Sequence, residues 1–242
     1  MRLRPLSLRG YLVALVLGAL VPMLILGGTL IGWLAEEQRK SMEQGLLESA
    51  KAPTLAIDRE IDANPAALQG LAAADTLGDG NLPVFYDRMQ LALRQHPYWA
   101  NIALLDAVGQ QLLHTAKPMG APLPNVATFD FVRRAMETGK PTVSDLITGP
   151  VAGRLNIAIL FPVLRDGHLT HILAAVVNAE AWSALLREFS TEPGPVIAAS
   201  DRQRRIIARN RDAEAYIGRE GPAWAREFLD QATSGIARGT AL

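Results

Sequence analysis

Four groups of side chains in this 242-residue sequence have types and spacings that could do chemistry. His168 and His171 stand three apart, close enough for a metal pair. They fall on a predicted hairpin, however, where that spacing sends the two rings to opposite faces, and no His-Glu-x-x-His accompanies them. Gly139-Lys140 ends like a phosphate-binding loop, but Arg134 stands five positions upstream of Gly139, where that loop requires glycine. Asp58 and Asp62 share a helix face at i, i+4, a spacing that serves paired catalytic carboxylates and ordinary solvated faces alike. Arg202, Arg204, Arg205, Arg209 and Arg211 form the basic cluster, which on an exported hairpin reads as a solvated edge that resists aggregation. No Gly-x-Ser-x-Gly elbow occurs. The expectation is therefore no catalytic set, no metal and no cofactor.

Composition narrows the classes further. Absence of cysteine removes thiol catalysis, thiolate metal sites, Cys-pair haem attachment and lipidated N-termini. With 24 basic and 24 acidic residues and no long basic block, no nucleic-acid partner is expected. An apolar share of 49% with 20% charged excludes a disordered, collagen-like or disulfide-stapled chain.

Whatever chemistry remains must be positioned by the larger elements, and the first of these is a membrane segment. Gly10 to Ala35 is a run of 26 residues without a charge. As a helix it reaches roughly 39 Å, more than the ~30 Å hydrocarbon core. A cleaved signal peptide has a shorter apolar region and a small-x-small site. This run ends instead in Gly-Trp-Leu-Ala-Glu-Glu, with Trp33 suited to the interface, so an uncleaved anchor is expected. Arg2, Arg4 and Arg9 precede the span and Glu36 and Glu37 follow it. The positive-inside rule then places the N-terminus in the cytoplasm and residues 36–242 outside the inner membrane, in a single-pass topology.

Beyond the membrane the apolar period becomes helical. Met42, Leu46, Ala50, Pro53, Ile57 and Ile61 form one stripe, suited to a stalk that packs on a globular body or on a second copy of itself. Pro53 is expected to kink or split that helix. Phe85, Met89 and Leu93 mark another helix. Asn101–Asp106 and Gln110–Thr115 read as paired strands, and Lys117–Pro124 as a loop. Phe129, Val132 and Met136 mark a short helix and Val143–Ile147 a strand. Leu155–Arg165 and Leu169–Val177 are strands joined by Asp166-Gly167, a strong hairpin signal. Trp182, Leu185, Leu186 and Phe189 close the unit as a helix.

After Thr191–Pro195 a similar order begins again. Val196–Ser200 and Arg205–Arg209 read as strands, Pro222–Thr233 as a helix and Gly235–Leu242 as a third strand. The fold class is α+β, with a five-stranded antiparallel sheet and flanking helices. The expected domains are a tail (1–9), a membrane helix (10–35), a stalk (36–65), a distal domain (66–190) and a partial proximal one (195–242).

The order of several segments resembles the extracytoplasmic sensor region of bacterial receptors with a double Cache domain. The first module carries Asn101-Ile-Ala-Leu-Leu-Asp106 then Gly109, Gly139-Lys-Pro-Thr-Val-Ser-Asp145, Gly149-Pro150, and Phe161-Pro-Val then Asp166-Gly167. The second carries Asp201, Ile206-Ile-Ala-Arg209, Asp212 and Tyr216-Ile-Gly218. Arg204 departs from the pattern, standing where the second hairpin usually has glycine, so that turn is expected to be longer or distorted. His96-Pro-Tyr-Trp99 replaces the Arg-x-Trp-Tyr of the amino-acid-binding subclass, which argues against an amino-acid ligand.

The resemblance implies a PAS-like sheet with a ligand between one face and the loop and helix covering it, and a mostly apolar concavity with a few polar groups is what a small ligand needs. Candidates facing Lys117–Thr128 are Asp145, Trp99, His114, Thr148, Asn156 and Arg133. Asp145 leads, since a strand carboxylate beside a pocket can pair with a cation or amine; a turn role at the strand edge competes. For Trp99 the competing role is core packing, and for His114 an exposed strand end. The resemblance further implies a membrane-bound homodimer that passes small-molecule binding through its stalk to an output domain, such as a histidine kinase or a diguanylate cyclase. The alternatives are a membrane-anchored periplasmic enzyme and a ligandless dimerisation module.

Overall fold

The computed structural model describes residues 8–73, 75–190 and 194–231. The predicted strand over 235–242 lies outside them. The chain divides into two units, residues 1–49 and 50–242. Helix α1 (Leu8–Ala72) supplies the first unit and the start of the second. Within it, Leu20–Met42 is long and apolar enough to cross a membrane, and it overlaps the charge-free run over residues 20–35.

In the second unit α1 runs unbroken through Pro53, contrary to the expected split. One lost backbone bond is tolerated there because Pro53 and Ile57 are both buried against the body, with Leu68 fully enclosed. The end of the apolar stripe, Ile57 and Ile61, thus packs on the globular body of its own chain. The helix also extends past the expected end at residue 65 to Ala72.

Short helices α2 (Asp75–Gly78) and α3 (Leu82–Gln95) follow, and Asn81 caps α3 by accepting from the Val84 N–H at 3.4 Å. Strands β1 (Trp99–Asp106) and β2 (Gln111–His114) lead through the 117–128 loop to α4 (Asp130–Thr138). Then come β3 (Thr142–Val143), β4 (Ile147–Thr148), β5 (Leu155–Arg165), β6 (His168–Asn178) and α5 (Ala179–Glu188). The sheet order is β2-β1-β6-β5-β3, with β4 also on β5, and every pairing is antiparallel. The α+β expectation holds, with six strands in the sheet where five were expected.

The predicted Val143–Ile147 strand is in fact two short ones. Ser144 causes the break: its Oγ accepts the Ala158 N–H at 2.9 Å, taking the place of a ladder carbonyl. Asp145 and Leu146 are then free to turn away toward the chain's later hairpin.

The sheet is buried on both faces. Ile102, Leu104, Ile157, Ile159, Leu173 and Ala175 face α1, α3 and α5, where Phe85, Met89, Trp182 and Leu186 complete the larger core. The alternate residues Ala103, Leu105, Ala158, Leu160, Ile172 and Ala174 face α4 and the 117–128 loop. Strands β7 (Ala198–Ser200) and β8 (Ile206–Arg209) form a separate hairpin, followed by α6 (Ala213–Tyr216) and α7 (Ala223–Gln231). Ile207 and Ala208 enter the larger core, so the hairpin is packed on the first sheet's helical side.

The β7–β8 turn is not lengthened. Arg204 adopts glycine's left-handed conformation at φ 63°, and the turn closes through Arg204 N–H to Asp201 O at 3.0 Å. A non-glycine residue in that region costs about 1–2 kcal/mol.

Candidate functional site

Alternation along β1, β5 and β6 brings a set of small and polar side chains under the 117–128 loop. They enclose a cavity of about 50 Å³, lined by Ala103, Ala158 and Ala174 on its floor and by Val126, Phe129 and Val132 as its cover. Polar groups enter at four points, namely Asn101, Gln111, His114 and Asn156, all at least nine-tenths buried. Asn101 Oδ1 and Gln111 Oε1 have no hydrogen-bond partner. A buried acceptor left unmade costs about 1–3 kcal/mol, so two of them on one cavity wall mark a place where a ligand or ordered water supplies donors.

Two irregularities in the sheet decide which residues reach this cavity. Regular alternation would send Gln111 and His114 to opposite faces. The register shift opposite Leu104 and Leu105 makes Leu112 an extra residue, and both side chains come to line the cavity. A second shift makes Ala100 the extra residue. Without it Trp99 would share a face with Asn101; with it Trp99 turns into the helical core, 5% exposed. There its indole N–H donates to Asn64 Oδ1 on α1, and His96 stacks on it at 4.0 Å.

Two of the six sequence candidates, His114 and Asn156, line the cavity; the other four do not. Asp145 is held by Arg202, whose backbone N–H and Nε donate to Oδ1 at 3.2 and 3.1 Å. Ser144 has already turned this segment off the strand, so the carboxylate points to the hairpin and not to the cavity. Thr148 is exposed at the end of β4. Arg133 lies on the outer side of α4 and pairs with Asp130 one turn earlier. Trp99 is core, for the reason given above. Sequence reasoning missed Asn101 and Gln111. Asn101 was visible as a polar residue inside an apolar run, whereas Gln111 depended on a bulge that no spacing announces.

His114 sits with its ring buried, which pushes its pKa below the ordinary value near 6.5, and the Lys117 charge acts in the same direction. The Ala116 N–H donates to His114 Nδ1 at 3.2 Å, so the neutral ring carries its proton on Nε2. His171 is lowered likewise, first by burial. Since the unfolded chain takes up these protons first, native stability falls as pH drops below about 6.5 and the loss ends below the depressed folded values. The melting temperature is therefore expected to fall between pH 7 and 5, and the His114→Gln variant to flatten that dependence. An unchanged slope in the variant would show that His114 does not titrate as described.

The cover is fixed from both ends. Tyr86 Oη donates to Lys117 O at 2.8 Å, and Gln90 Nε2 donates to Thr115 O at 3.1 Å. At the far end the Val126 N–H donates to Gly109 O at 2.8 Å, and Gln110 Nε2 to Leu123 O at 2.8 Å. Gly109 is required: a Cβ there would stand 2.7 Å from Ala127 Cβ and 2.9 Å from its backbone nitrogen. Gly149 plays a similar part below, since a Cβ would lie 2.5 Å from Asn156 Nδ2. Its turn carries Val151 and Ala152, which line both this cavity and a wider one of about 370 Å³ beside it. Asn101 and Asn156 are shared as well, so we take the wider space, lined also by Lys117, Arg154 and Asn178, as the entrance.

No group of three metal-ligating side chains occurs among the described residues. No family model matches the sequence, and no curated protein matches it by sequence. Solved structures do match. The extracellular domain of the putative histidine kinase rpHK1S-Z16 superposes with a TM-score of 0.65 at 17% identity, over 82% of this chain and 81% of that one. The sensory domain of the Campylobacter jejuni chemoreceptor Tlp3 (CcmL), solved with isoleucine bound, gives 0.62 at 14%, over 78% of each chain. The ligand-binding domain of the Pseudomonas fluorescens chemoreceptor CtaA, in complex with L-isoleucine, gives 0.60 at 12%, over 75% and 73%. At these identities the likeness is one of fold: the chain has the Cache-type, PAS-like fold of extracytoplasmic ligand-binding sensor domains.

Proposed function

We propose that this chain is the small-molecule-sensing input region of a membrane-anchored receptor, with residues 36–242 outside the inner membrane and the output that of a two-component histidine kinase. The observation that carries the reading is the buried-residue-lined cavity with two unpartnered acceptors, Asn101 Oδ1 and Gln111 Oε1, on the sheet face beneath the loop. Two of the neighbours described above, the chemoreceptor domains, hold isoleucine in domains of this fold, and the apolar Leu20–Met42 segment is long enough to serve as an anchor. In this reading the distal domain covers 66–190 and the partial proximal one 195–242. The chain pairs with a second copy, and a ligand that favours one arrangement of the sheet biases the helix pair by its differential affinity for the two states.

The test is thermal unfolding of the full chain in detergent against a panel of small carboxylates, amines, amides and amino acids. A binder at a hundred times its Kd stabilises by about 2.7 kcal/mol. The shift is expected to vanish in Asn101→Leu, which keeps the branched shape and heavy-atom count of the side chain and removes the acceptor. A panel with no stabilising compound, or a shift that survives in Asn101→Leu, overturns the reading.

A further inference from the structure

Resting on that reading of the cavity, we infer that the ligand is a small carboxylate bearing an uncharged hydrogen-bond donor, a hydroxy acid in the simplest case, and that molecules with an ammonium group are rejected. Charge carries the first half of the argument. Among the described residues neither the cavity nor its entrance is lined by any Asp or Glu. The entrance holds Lys117 and Arg154, and neither forms an ion pair among the described residues. Asp145, the leading sequence candidate, is occupied by Arg202 and lines a different space from this cavity. An anion is therefore matched at the entrance, whereas a buried ammonium would meet only neutral acceptors and lose its hydration without an opposite charge.

Depth carries the second half. Asn101 lines both spaces and Gln111 only the inner one, so a molecule anchored at the cations reaches Asn101 first and Gln111 last. Both present an unpaired acceptor oxygen, which a hydroxyl or amide N–H satisfies without bringing in charge. Neutral His114 offers the complementary donor at Nε2 and adds no positive charge that would draw the carboxylate deeper. Size agrees: at about one water per 10–15 Å³, some 50 Å³ takes roughly three to five non-hydrogen atoms beyond the carboxylate.

The experiment is calorimetric titration of the full chain in detergent with 2-hydroxypropanoate, propanoate and L-alanine, three molecules that share a skeleton and differ at one substituent. Affinity is expected to fall about tenfold from the hydroxy acid to propanoate, for one lost hydrogen bond. It is expected to fall on the order of a hundredfold or more to alanine. The Lys117→Gln, Arg154→Gln double variant, altered only at exposed positions, is expected to weaken binding of 2-hydroxypropanoate at least tenfold while leaving the melting temperature unchanged. Alanine binding best overturns the inference and leaves the sensing reading in place. Equal binding of the hydroxy acid by the double variant overturns it too. If none of the three binds, the inference fails and the broader panel above decides the sensing reading separately.

Discussion

Replacing Asp201 by alanine is expected to cost about 3–5 kcal/mol of stability, the range found when one partner of a buried ion pair is removed. The carboxylate is 3% exposed and serves four donors. Its Oδ2 accepts from Arg205 Nε at 3.0 Å, Arg205 Nη2 at 2.8 Å and the Leu146 N–H at 3.1 Å, and Oδ1 accepts from the Arg205 N–H at 2.9 Å. Arg205 Nη2 also donates to Leu146 O at 2.5 Å. One side chain thus closes the β7–β8 turn and fastens it to the segment between β3 and β4. Its loss strands the Arg205 charge and the Leu146 N–H together. Urea unfolding of the full chain in detergent measures the effect, and a cost below about 1 kcal/mol would show that the clamp carries no stability. Because Asp201 does not line the cavity, ligand affinity in the folded fraction is expected to stay at the wild-type value.

Gly109→Ala is expected to destabilise by about 2–5 kcal/mol and also to abolish ligand binding. The left-handed backbone, φ 80°, contributes about 1–2 kcal/mol. The collision of the new methyl with Ala127, whose backbone cannot rotate away as a side-chain tip could, adds about 1–3 kcal/mol. Gly120→Ala separates the two terms. Its φ is 82°, yet a Cβ there meets nothing within 4 Å, so only the backbone cost applies. Moving Ala127 pulls on Val126, which covers the cavity, and on the Gly109 O to Val126 N–H bond. Equal destabilisation by both variants, with binding intact in Gly109→Ala, would show that the loop does not depend on this approach.

The two effects act at opposite faces of one sheet. Asp201 holds the hairpin on the helical side, and Gly109 holds the lid on the cavity side. The first is therefore expected to change stability alone, the second stability and binding together.

Local chemistry made much of the fold legible in the sequence. A charge-free run longer than a bilayer core is a membrane helix candidate in any context. Asp166-Gly167 joins β5 to β6 because both residues take positive φ, 50° and 78°, in a two-residue turn whose twist matches the strands. Alternation along those strands, and helical spacing at Phe85 and Met89, follow from geometry that repeats every few residues and needs no distant partner. The site was legible only in part. His114 and Asn156 lie where strand and loop order suggested, and Asn101 follows the plain alternation of β1, but Gln111 and Trp99 were assigned to their faces by single extra residues at Leu112 and Ala100. A bulge reverses every side chain beyond it, and its position is set by what packs across the sheet, so no local spacing reveals it. Asp145 met its cation across 57 residues of chain, in Arg202. That pairing exists only because Ser144 breaks one strand and the later hairpin docks beside it, a choice made by the assembled core and by nothing nearer in the chain.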